Sequence, residues 1–100
     1  MTDVQAVIEN YDYFNQPMVN ENNQLTSLNA LIAALGINSE IDFYLDDIRW
    51  YIGPNNAGYT LSKNNGTWKK SFKTINDILN YKINGKTLRS SWKDMLINEL

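Results

Sequence analysis

The sequence predicts an α+β fold: N-terminal helices, a small three-stranded antiparallel meander, and C-terminal helices packed on one sheet face. Three observations carry this expectation. Apolar residues recur at helical spacing in the first third of the chain and again after Thr74. Between them, Ile48 to Lys73 is rich in β-branched and aromatic residues and is punctuated by Gly, Pro and Asn. With 100 residues, 43% of them hydrophobic and 20% charged, there is room for one domain, residues 1–100, around one modest core. That composition excludes a disordered chain, a collagen and a coiled coil.

The elements follow in order. Val4, Val7, Ile8, Tyr11 and Phe14 share a helical face, and Thr2 or Asp3 can cap it, which predicts a helix over about residues 3–14. The polar stretch from Pro17 to Asn23 reads as a loop. Leu28, Leu31, Ile32 and Leu35 form a second helical stripe, capped by Thr26 or Ser27 and ended by Gly36.

Residues 39–48 support two readings. Ser39-Glu40-Ile41-Asp42 resembles a capping box, and Ile41, Tyr44, Leu45 and Ile48 recur at helical spacing. The same segment alternates, with Ile41, Phe43 and Leu45 on one side of a strand. The helix is favoured by a small margin. Strands are then expected at about 48–52, 59–63 and 67–73, separated by the turn cluster Gly53–Gly58 and by Asn64-Asn65-Gly66.

Thr74 to Asp77 opens a further helix with Ile75, Ile78, Leu79 and Ile83 on its apolar face. Asn84-Gly85 either ends that helix or makes a type I′ turn, and the helix fits the longer pattern better. Thr87 caps a last helix bearing Leu88, Trp92, Met95 and Leu96. The expected core is Ile32, Leu35, Ile52, Leu61, Phe72, Ile78, Leu79 and Leu96.

Charge is laid out unevenly. Residues 1–48 hold eight carboxylates and no lysine or arginine, whereas residues 49–100 hold all nine basic residues against Asp77, Asp94 and Glu99. The two parts carry −8 and +6. Such asymmetry suggests interaction surfaces, although acidic and basic elements can also satisfy each other inside one small fold. Glu40, Asp42, Asp46 and Asp47 form the acidic candidate site, and such a cluster can imitate a nucleic-acid backbone; the overall charge of −2 is modest for a mimic. Trp68, Lys69, Lys70, Lys73, Lys82, Lys86, Arg89 and Lys93 form the basic and aromatic candidate. On a strand, Trp68, Lys70 and Phe72 share one face and Lys69, Ser71 and Lys73 the other; on a helix, Lys86, Arg89 and Lys93 share a stripe.

The segment from Leu25 to Leu61 has the outline of a winged helix-turn-helix, but its second helix carries Glu40, Asp42, Asp46 and Asp47, which phosphate repels. Catalytic constellations are nearly empty. Cysteine and histidine are absent, which removes thiolate chemistry and the commonest general base and metal ligand. Asp42 and Asp46 share a helical face and hold at most a weak divalent ion. Ser90-Ser91-Trp92-Lys93 matches an S-x-x-K spacing without companion motifs. No catalytic residue, metal or cofactor is therefore assigned.

Asn65-Gly66-Thr67 fits a glycosylation acceptor, and fifteen asparagines mark a compositional bias. The opening residues lack a signal-peptide pattern and no window suits a membrane span, so a cytoplasmic chain, monomer or homodimer, is expected. The leading expectation is a non-catalytic binding protein acting on a protein partner through a charged surface, such as a phage or mobile-element inhibitor of a host enzyme or defence system. The alternative is a degenerate winged-helix-like nucleic-acid-binding module using the basic, aromatic C-terminal half.

Overall fold

The computed structural model describes residues 3–100. It is an α+β arrangement in which a five-stranded antiparallel sheet carries helices on one face. Helix α1 spans Val4–Asn10, capped by Asp3, whose carboxylate accepts from the Ala6 N–H; Thr2 lies outside the described residues. The helix is shorter than its apolar spacing predicts because Asp12 takes over the backbone. Its carboxylate accepts from the N–H groups of Phe14 and Asn15, an Asx turn that competes with helix. Phe14 consequently points fully into solvent instead of continuing the apolar face.

Helix α2, Leu28–Gly36, is capped by Ser27 and is the best-buried element, with Ala30 to Leu35 inaccessible. Gly36 is its last residue, and the left-handed position that stops it is Asn38, φ 58°. Gly36 is required for another reason: a Cβ there would run into Ile8 of α1, so the glycine lets the two helices pack closely.

Residues 39–48 are not helical. Strand β1, Ile41–Leu45, turns through Asp46 and Asp47 into β2, Ile48–Asn55. Both aspartates are left-handed, φ 53° and 62°, the pattern of a two-residue type I′ hairpin whose twist matches its strands. The period-2 pattern wins because Ile41, Phe43 and Leu45 all reach the core. The helix-turn-helix outline and the shared helical face of Asp42 and Asp46 fall with that helix.

The expected meander is part of a larger sheet of order β4-β3-β2-β1-β7, with β3 at Gly58–Lys63, β4 at Trp68–Phe72 and β7 at Leu96–Glu99. Strands run further into the Gly53–Gly58 cluster than its turn residues suggest. Pro54 is tolerated because β1 begins opposite Ile52, so at Pro54 the β1 side of β2 has no ladder to break. Gly58, φ 145°, sits where a Cβ would collide with the carbonyls of Phe72 and Lys73.

Helix α3, Ile75–Asn80, starts on a Thr74 cap and ends before a hairpin, β5 (Lys82–Ile83) and β6 (Lys86–Thr87), turned through Asn84 and Gly85 at φ 52° and 81°. The long expected helix is thus cut at Asn80. The expected last helix is also divided: α4 covers Leu88–Ser91, Trp92–Asp94 is a single 3₁₀ turn, and Leu96 begins a strand. Leu96 is therefore on the outside, 47% exposed, while the other seven expected core residues are buried.

One continuous core lies between the sheet and helices α2 to α4. Tyr59 ties the layers by donating to the Leu35 carbonyl at 3.1 Å. Gln24 bridges Leu96 and the Asn23 carbonyl accepts from the Ile97 N–H at 2.7 Å, so the loop before α2 covers the outer edge of β7. No helix among the described residues is long and apolar enough to cross a membrane.

Candidate functional site

Antiparallel register sets which side chains share a face. Rows Phe43–Trp50–Lys63–Trp68 and Ile41–Ile52–Leu61–Lys70 face the helices. The intervening rows, Leu96–Tyr44–Arg49 and Asp42–Tyr51–Ser62–Lys69, face outward, and the burial alternation of β1, β2 and β7 shows that no second layer of described residues covers them, although Ser62 between Tyr51 and Lys69 is itself buried. An uncovered antiparallel face ordinarily carries polar side chains. This one carries Tyr44, Tyr51 and Leu96, respectively 38%, 36% and 47% exposed.

Arg49 stands among them. Its Nε and Nη2 donate to Asp42 Oδ1 at 3.0 Å and Oδ2 at 2.5 Å, a bidentate pair, and Asn98 donates to the same carboxylate at 3.1 Å. Hydrogen bonding from Arg49, aided by Asn98, holds the Asp42 carboxyl below its usual range despite partial burial. The Tyr51 ring lies back over Gly53, and burial, then the neighbouring Glu40, raises its hydroxyl pKa. Beside this row a cleft of about 330 Å³ runs from Arg49 and Tyr51 to the Asn64-Asn65-Gly66 turn.

The chain's charge asymmetry maps onto the sheet because strand order partly follows chain order. Glu40, Asp42 and Glu99 lie on β1, at its start, or on β7, while Lys69, Lys70 and Lys73 lie on β4 or just after it at the opposite edge. Among the described residues one ion pair within 4 Å, Arg49–Asp42, joins the two charge sets.

The acidic candidates are divided. Glu40 and Asp42 lie at the start of β1 beside Tyr51, whereas Asp46 and Asp47 form the turn at its far end, where Asp46 accepts from Asn84 Nδ2 at 3.2 Å. The basic candidates fall into three groups. Trp68, Lys69 and Lys70 belong to β4 with Lys73 just beyond, and Lys82 and Lys86 belong to the β5–β6 hairpin. Arg89 donates to Asn80 and Asn76 of α3 at 3.0 and 2.8 Å, and Lys93 lies over Trp92. The helical stripe of Lys86, Arg89 and Lys93 does not form, since the three sit on a strand, a one-turn helix and a 3₁₀ turn.

Sequence reasoning missed Tyr44, Arg49 and Tyr51. The signal was present: aromatic residues at the outward positions of an alternating pattern. Ser90 Oγ bonds within the α4 cap, to Thr87, so no hydrogen bond links the S-x-x-K serine to its lysine. Among the described residues no three carboxylates gather as a metal site. No protein-family model matches the chain, and no curated protein or solved structure matches it either.

Proposed function

We propose that the chain is a small non-catalytic binding protein that engages a protein partner through the uncovered face of its sheet. The observation that carries this reading is the presence of Tyr44, Tyr51, Leu96 and Arg49 together at outward positions. Tyrosine and arginine are enriched at interface centres, where flat rings and a planar guanidinium give contact area for little ordering cost. The Asp42 carboxylate already fixes the Arg49 fork, so binding need not immobilise it.

Asp42 of β1, with Glu40 just before the strand, and Lys69 of β4 flank this centre on opposite sides, which favours a partner with the reverse arrangement of charge. The partner contacts the face that the chain's own helices leave free. The cleft beside Arg49 and Tyr51 offers a seat for a partner side chain.

The test is capture on the immobilised chain followed by amide exchange of the complex. Wild type should retain a protein that the triple variant Tyr44→Thr, Tyr51→Thr, Leu96→Thr releases, with exchange slowed in β1, β2 and β7. Equal retention by both forms, or protection confined to the helical side, overturns the reading.

A further inference from the structure

The helix-covered side of β3 and β4 should be apolar, and Leu61 and Phe72 satisfy this. Tyr59 and Trp68 are inward as well, but Lys63 and Lys70 occupy the remaining two inward positions. Inward and edge lysines discourage a free edge strand from pairing with other chains, and β4 is such an edge. That role does not require rings beneath each ammonium. Lys63 Nζ nevertheless lies 5.4 Å from the Trp50 ring centroid and 5.9 Å from that of Trp68. Lys70 Nζ lies 5.9 Å from Phe72 and 5.8 Å from Tyr81.

Trp68 and Tyr81 stack with centroids 6.1 Å apart and planes 25° from parallel, and both are only partly buried. They border a cleft of about 210 Å³ that Lys63 and Lys82 also line, and no carboxylate lines it. Its wall includes Trp50, 5% exposed, whose Nε1–H has no hydrogen-bond partner among the described residues. Asp46 reaches one end only, through Asn84. From the cleft the cations continue on the same side of β4 to Lys70, whereas Lys69 points to the other face.

We propose that this cleft binds single-stranded nucleic acid, with a base stacking on the ring faces of Trp68 or Tyr81 that the Lys63 and Lys70 ammonium groups cover, and phosphates held by those displaced lysines and Lys82. Stacking accepts any base, and lysines track a flexible backbone as point charges. A duplex is disfavoured because its bases are already stacked on one another and the cleft has room for an isolated base only. The site is on the opposite side of the sheet from the protein-binding face, so the two readings stand or fall separately.

The test is titration of the full chain with a twelve-residue oligothymidylate, followed by tryptophan fluorescence at several salt concentrations. Quenching should fall with salt at a log–log slope of about −2, the value for three phosphate contacts on a single strand. Lys63→Gln with Lys70→Gln should reduce the slope to about −0.7. Trp68→Leu, or Tyr81→Leu if the first fails to fold by circular dichroism, should weaken binding roughly tenfold to hundredfold with the slope retained. The triple variant of the uncovered face should bind like wild type. The proposal is overturned by no quenching at the lowest salt, by equal affinity for a duplex or for polyglutamate, or by loss of binding in the triple variant.

Discussion

The two sides of the sheet are made from alternate residues of the same strands, yet they answer to different demands. On the covered side Phe43, Ile41, Ile52 and Leu61 are inaccessible, and each contacts a helix layer or a neighbouring strand in a continuous core. On the uncovered side Tyr44, Tyr51 and Leu96 are half-exposed and Arg49 is held by Asp42. The contrast teaches that period-2 apolarity reports burial, whereas the aromatic residues at the outward phase are the ones that the proposed reading assigns to a partner.

The largest effect that distinguishes the sides should come from Phe43→Ala. Removing a fully buried ring leaves a cavity and should cost about 3–5 kcal/mol, read from urea unfolding. A loss comparable to that of Tyr44→Ala would erase the distinction. Next comes Gly58→Ala, which should cost roughly 1–3 kcal/mol because φ 145° is a glycine conformation and the new methyl meets the carbonyls of Phe72 and Lys73. Amide exchange should then accelerate in β3 and β4 before β1.

The smallest effect belongs to the uncovered side. Asp42 has a depressed pKa in the folded chain, so its ionised form adds stability above the unfolded carboxyl value, and that stability is lost as pH falls through the folded one. Asp42→Asn should therefore lower Tm at pH 7 and leave it equal to wild type once Asp42 is protonated in both folded and unfolded states. A Tm difference that persists undiminished at low pH would mean that the Arg49 pair is not its source.

Much of the architecture was legible because local chemistry agreed with it. Ser27, Thr74 and Thr87 cap helices where hydroxyl residues precede apolar periodicity, and Asn64-Asn65-Gly66 turns a hairpin. The error at residues 39–48 has a definite cause. Over eight residues periods of 2 and 3.6 both fit Ile41 and Leu45, Ile48 adds to the helical period alone, and an Asp-Asp pair is a weaker type I′ signal than Asn-Gly. The last helix failed similarly, since Leu96 fits a helical stripe but pairs with Tyr44 as a strand residue.

The candidate sites were less legible. Lys63, Trp50 and Tyr81 are distant in sequence, and only the pairing of Trp50, Lys63 and Trp68 across three strands assembles them. Likewise, Asp42 reads as one of four acids until register places Arg49 diagonally beside it on the same face.

The direct comparison is thermal unfolding of Tyr44→Thr/Tyr51→Thr/Leu96→Thr beside that of Phe43→Ala. If the uncovered face exists for docking, three polar replacements there should leave a higher Tm than the one cavity in the core. A triple variant that melts at or below the Phe43→Ala protein would show those outward side chains holding the fold together, and would contradict their assignment to a partner.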